Sequence, residues 1–187
     1  MKQIAVILVP VLLMTAGMPV IMKVKCFSQG HKLLGFLMFI IYVLGNMYFT
    51  VLSRKPGTVI SLELIPFRTY QKLFEPFVES PRYPMGFAQA FLFNTPPIVS
   101  FILNILLYYP LGYLLPILFP KLNPKHVILI GCLCSIATEA TQYILKMGWC
   151  ETDDVIHNTL GTAIGVWVWH LQSKRLNKPK TNELPKD

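Results

Sequence analysis

The chain is 187 residues long, 53% hydrophobic and only 14% charged, with a formal net charge of +8. So much apolar surface excludes a water-soluble domain of this size, and it assigns the excess of bases to lipid headgroups beside membrane spans rather than to nucleic acid. The cysteines form no CxxC pair, and Cys132 and Cys134 lie within an apolar run, so packing thiols are expected in place of a zinc site or a disulfide framework.

A bilayer core of about 30 Å needs roughly 20 mostly apolar residues per helix. Runs of that kind predict an all-α membrane protein, a bundle of five transmembrane helices. The first runs from Gln3 to Met22. Lys2 ahead of it and Ala16 with Gly17 near its end would suit a signal peptide, but the stretch is long for one and Lys23 and Lys25 form a stop-transfer flank, so an uncleaved span is expected. The second span, Leu33 to Ser53, completes an N-terminal pair over residues 1–53.

Residues 54–97 are too long for a simple connector, and Pro56, Pro66, Pro76, Pro81, Pro84, Pro96 and Pro97 rule out one continuous helix. An extracytoplasmic loop folded in short pieces is expected there. Within it, Met85 to Phe93 carries Phe87, Phe91 and Phe93 with few charges, which predicts an interfacial or re-entrant helix.

A three-helix core follows over residues 98–171. Its first helix, Ile98 to Phe119, contains Asn104, Pro110 and Pro116, breaks that neighbouring helices can re-satisfy in a membrane. The next, His126 to Leu145, carries Glu139 and Gln142, and the last, Val155 to Leu171, is short and carries His157 and Asn158. Residues 172–187, rich in Lys, Pro and Asn, read as a solvated basic tail. With five spans, Lys23, Lys25, Lys32, Lys121, Lys125 and the tail share one face and outnumber the bases on the other. The positive-inside rule then places the C-terminus in the cytoplasm and the N-terminus and the long loop outside.

The polar residues of the core converge on one membrane half. Asn104 lies roughly 9 Å from the outer start of its span, at about 1.5 Å of rise per residue. Ser135, Glu139, Gln142 and Lys146 fall on one helical face, and Asp154, Asn158, Gly161 and Gly165 repeat the pattern, with Asp153 and His157 beside them. A carboxylate in a span costs about 2.5 to 3.5 kcal/mol on insertion scales, so Glu139 is a functional candidate, set against a structural reading in which it hydrogen-bonds a neighbour to lock the bundle. Asp153 or Asp154 could simply cap the last helix at its positive dipole end. Together with Glu139, Glu151 and His157 they offer more anionic ligands than capping needs, enough to hold a divalent cation, although no tight ligand spacing is present. His157, one turn from the Asp pair, suits either a satisfied histidine or a proton shuttle.

At these residues the chain resembles the VanZ family of bacterial membrane proteins. The likeness is carried by NILLYYPLGYLLP from Asn104, TEATQ from Thr138 and ETDDVIHNTLGTAIG from Glu151, and it covers roughly Leu52 to Leu171. Upstream, ELIPFRTY from Glu63 resembles a family segment in which Asn and Leu are common at the places of Glu63 and Ile65. Many members carry an arginine shortly before the Asp-Asp pair. This chain has Gly148, Trp149 and Cys150 there, with Lys146 the nearest base in sequence. The resemblance implies a multi-pass protein of the bacterial cell membrane linked to resistance to teicoplanin and related lipoglycopeptides, and it supplies no reaction.

The expected function is binding or alteration of a lipid headgroup or a lipid-linked wall component in an outer polar pocket. Asn104, Gln142, Asn158, Arg54 and Arg68 are the candidate binding residues. If chemistry occurs, Glu139 or Asp154 would be the general base, with Asp153 beside it, His157 a shuttle, and Arg54 or Arg68 the holder of a phosphate. The alternatives are a small carrier or channel assembled from several subunits, for which polar residues confined to one half give no path through a single chain, and a non-catalytic structural protein.

Overall fold

A computed structural model describes residues 28–57, 61–68, 70–71 and 95–176. The expected first span, the Met85 to Phe93 helix and residues 177–187 of the tail lie outside the described residues. The described residues are mostly helical. Helix α1 (Ser28–Met47) continues into a π-helical turn (Tyr48–Leu52), and α2 (Thr95–Leu118), α3 (Pro124–Ile144) and α4 (Thr152–Leu176) follow. Two short strands, β1 (Ser61–Glu63) and β2 (Trp149–Glu151), were not anticipated by an all-helical reading.

Among the described residues, three helices are long and apolar enough to cross a membrane: Leu33–Leu52, Ile98–Leu118 and Pro124–Ile144. These coincide with the expected second, third and fourth spans. Helix α4 contains the expected Val155 to Leu171 span and is 25 residues long, but Asp153 and Asp154 in its first turn and Lys174 and Arg175 in its last make it more polar than those three.

The π-helical turn has a local cause and a long-range one. Thr50 Oγ1 donates to the Asn46 carbonyl at 2.7 Å and Ser53 Oγ to that of Phe49 at 3.1 Å, hydroxyl back-bonds that compete with the regular ladder. Ser53 N donates five residues back, to Tyr48 O at 2.8 Å. The Thr50 carbonyl is met from α3 instead, by Gln142 Nε2 at 2.9 Å.

Helix α3 begins at an Asn-Pro cap, where Asn123 Oδ1 accepts from Lys125 N at 2.9 Å and Pro124 occupies the first turn, whose N–H groups lack intrahelical partners. It ends earlier than the polar spacing implied. Ile144 is its last residue, and Lys146 sits beyond it, exposed and left-handed at φ 55°, so Lys146 does not continue the Ser135, Glu139 and Gln142 stripe.

The connection to α4 then pairs with the loop that follows α1. Gly57 N donates to Lys146 O at 2.9 Å, and β1 runs parallel to β2 in the register Ser61 with Trp149, Leu62 with Cys150 and Glu63 with Glu151. This small sheet ties the long loop to the start of α4.

Helices α2 and α4 form the centre of the bundle. A Cβ on Gly161 would lie 2.3 Å from the Ile105 carbonyl oxygen, and one on Gly112 would lie 1.9 Å from that of Thr162, so the two backbones touch where only glycine fits. Around that seam Tyr108, Tyr113, Leu114 and Val127 are almost wholly enclosed. Pro110, within α2, withholds a donor from the preceding turn.

Candidate functional site

A cleft of about 390 Å³ opens between the end of α1, α2, α3 and the first turns of α4. Six of the residues singled out from the sequence line it: Arg54, Asn104, Glu139, Gln142, Asp154 and Asn158. Helical spacing explains the convergence. Glu139 and Gln142 are one turn apart on the buried face of α3, and Asp154 and Asn158 are one turn apart on α4.

Both carboxylates of the cleft are hydrogen-bonded. Asn104 Nδ2 donates to Asp154 Oδ1 at 2.5 Å across α2 and α4, and Glu139 Oε2 accepts from the backbone N–H of Glu151 in β2 at 3.0 Å. Glu139 thus takes a backbone donor from the small sheet. Among the described residues, Arg54 is the one cation lining the cleft, and a Cβ on Gly148, itself at φ +125°, would lie 3.6 Å from its Nη1. The guanidinium therefore rests beside the residue that precedes β2.

The two amides are half satisfied. Asn158 Nδ2 donates to Ser135 Oγ at 2.8 Å, and Gln142 Nε2 donates to Thr50 O. Among the described residues, Asn158 Oδ1 and Gln142 Oε1 have no hydrogen-bond partner, although the side chains are only 4% and 2% exposed. A buried carbonyl oxygen without a donor costs about 1 to 3 kcal/mol.

Asp153 and His157 do not line the cleft. Adjacent residues on a helix diverge by about 100° at 3.6 residues per turn, so Asp153 and His157 share a face next to that of Asp154 and Asn158. There Asp153 Oδ1 accepts from Phe67 N at 2.5 Å, and His157 Nε2 lies 2.7 Å from Tyr70 Oη. The His157 ring meets Phe101 edge-on at 4.8 Å. Phe67 holds φ at 63°, an unfavourable value for a bulky residue that the bond to Asp153 helps to fix. Burial, then the charges of Asp153 and Asp154, push the Tyr70 phenol above its ordinary range. The pair thus anchors the long loop to α4. Arg68 lies in that docked segment, bonded through Nη1 to Gln71 Oε1 at 3.3 Å, and does not line the cleft.

Sequence reading missed Tyr70 and Thr50. Tyr70 lies in the ELIPFRTY string, where only Arg68 was singled out, and Thr50 carried no signal because its part depends on the π-helical turn. Cys150 is partly buried, and its thiol is pushed up by burial and then by the Glu139 carboxylate, which makes it a poor nucleophile. Among the described residues no group of three or more His, Cys, Asp or Glu side chains could hold a metal ion.

A family model described as VanZ/LLP1 matches residues 34–173. The chain belongs to the VanZ/LLP1 family. Membership and the apolar helices together make it a membrane protein. It is similar to Protein VanZ of Enterococcus faecium, 29% identical over 83 residues, which is 43% of this chain and 50% of that one. It thus spans about half the length of the curated VanZ protein it matches. No solved structure matches it significantly.

Proposed function

We propose that this VanZ/LLP1 protein binds the polar head of a membrane lipid, or of a lipid-linked wall component, in the cleft between α1, α2, α3 and α4. One observation carries the reading. Two nearly buried amides that line the cleft, Gln142 and Asn158, each keep a carbonyl oxygen without a partner among the described residues, in a lining that also holds Arg54, Glu139 and Asp154. Acceptors of that kind are completed by a ligand with N–H or O–H donors, and a guanidinium by a phosphate.

In this reading the chain spans the membrane five times, its N-terminus outside, its C-terminus in the cytoplasm, and the cleft in the outer half. Altered presentation of an envelope lipid is then the route to teicoplanin and lipoglycopeptide resistance. A catalytic version would use Glu139 or Asp154 as the general base. The apolar packing of Leu111, Leu114 and Val166 argues against a path through one subunit.

The structural alternative has its own support, because Asn104 with Asp154 and Ser135 with Asn158 are hydrogen bonds between helices that would order a bundle without any ligand. Glu139→Gln separates the readings. A labelled envelope lipid should lose its binding or turnover in vesicles holding this variant while the yield of folded protein is unchanged. Loss of folded protein in proportion to loss of function would favour the structural alternative, and full retention of both would remove Glu139 from the site.

A further inference from the structure

Beside the polar cleft lies a second cavity of about 330 Å³. Its walls come from α1, α2 and α3, with Tyr42, Val43 and Met47 on one side and Cys134 and Ala137 on the other. It is mainly apolar and borders the cleft directly, since Thr50 and Thr138 line both. Its α3 wall is open at Cys134 and Ala137, both exposed, and Met47 on α1 is 52% exposed. In a membrane those positions face hydrocarbon. A polar cleft that opens sideways into an apolar groove is the shape an amphiphile needs, because the head can enter while its chain stays among apolar side chains and lipid tails.

We infer that the cleft and the groove form one site for a phospholipid-like amphiphile. Its phosphate lies on Arg54, N–H or O–H donors of its head meet Gln142 Oε1 and Asn158 Oδ1, and one acyl chain lies in the groove between α1 and α3. The inference rests on the headgroup reading above and adds the requirement for head donors and the place of the chain.

Charge and hydrogen-bond capacity set the preference. Ethanolamine and glycerol heads carry donors beside the phosphate, whereas a choline head carries the phosphate and a positive charge but no N–H or O–H. Selection should therefore follow donors and not charge. Ala137 is the small residue through which the chain's place can be tested, since a larger side chain at this exposed helical position fills the groove without entering the core.

The test uses the full chain in nanodiscs and a phosphatidylethanolamine whose acyl chain carries a photoactivatable diazirine. Labelling should map to the α1 and α3 segments around Met47 and Ala137, and should fall stepwise in Ala137→Leu and Ala137→Phe. Phosphatidylethanolamine and phosphatidylglycerol should each compete about tenfold better than phosphatidylcholine, as expected for about 1.4 kcal/mol of lost hydrogen bonding. Competition by phosphatidylethanolamine alone selects an ammonium donor and the site stands, whereas competition by the anionic phosphatidylglycerol alone shows that net charge decides and overturns the donor requirement. Equal competition by phosphatidylcholine overturns the donor requirement, and labelling that ignores both Ala137 variants overturns the groove.

Chainless glycerophosphoethanolamine distinguishes this failure from failure of the cleft itself. If it binds wild type and Ala137→Phe alike while the photolabel maps elsewhere, the headgroup reading survives and the groove falls. If neither it nor any phospholipid binds, both fall together.

Discussion

Gln142 on α3 donates its side-chain amide to the backbone carbonyl of Thr50, 92 residues earlier, at 2.9 Å. The bond satisfies a carbonyl in the π-helical turn at the end of α1 and fixes the wall from which Arg54 follows. Gln142→Leu would leave that carbonyl buried without its donor. We expect a loss of about 1 to 3 kcal/mol of stability, read as a lowered melting temperature in detergent. An unchanged melting temperature would mean the turn does not depend on this bond.

The seam between α2 and α4 predicts a sharper response. Gly161→Val would push a branched side chain into the Ile105 carbonyl, which already lies 2.3 Å from where a Cβ would sit. Overpacking costs typically about 1 to 3 kcal/mol, and a contact with backbone cannot relax by a rotamer change. The yield of monodisperse protein on size-exclusion chromatography should fall strongly for Gly161→Val and hardly at all for Gly45→Val, where nothing lies within 4 Å of the added carbon.

Pairing between the two strands can be tested with a single substitution. Leu62 is the partner of Cys150 in the parallel register, so Leu62→Cys should form a disulfide with Cys150 on mild oxidation, found by mass spectrometry of the linked peptides. Leu64→Cys, beyond the strand, should not. Equal linkage in both variants would show that the loop is not held in this register.

The loop anchor has a pH signature. The Tyr70 phenol is raised above 10.0, so between that value and its folded value the folded state holds a proton that the unfolded chain has released. The Tyr70 contribution is therefore fully present below pH 10.0 and is lost as pH rises through the folded value. Tyr70→Phe should remove this alkaline component and, by breaking the bond to His157, make residues 61–71 more open to proteolysis at neutral pH. Identical alkaline profiles for the variant and wild type would contradict the assignment.

Much of the cleft was legible because helical spacing is strict. Glu139 and Gln142 on α3, and Asp154 and Asn158 on α4, were placed together by turn counting alone, and the structure sets them around one cavity. The same counting put Asp153 and His157 beside that stripe, yet chemistry grouped them with Glu139 and Asp154 as one set. The chain separates them because the loop arrives on the neighbouring face and takes Asp153 and His157 for its own anchoring, through Phe67 and Tyr70.

The small sheet was harder to read. Strands of three residues are too short to give a periodic signal, and their pairing depends on where α3 stops. That stop is set by Lys146 in a left-handed conformation, a place where glycine is the usual marker. With Lys146 beyond the helix, the base nearest in sequence to the Asp pair does not line the cleft, and Arg54, distant in sequence, does.

The claim on which the functional account stands is that Arg54 holds the phosphate of a lipid head in the cleft. Native mass spectrometry of lipids retained by wild type and by Arg54→Gln, purified from the same membranes, tests it most directly. Arg54→Gln should retain about tenfold less phospholipid while melting at the wild-type temperature, in keeping with the loss of one charge-assisted contact. Equal retention of the same lipids by both proteins would contradict it.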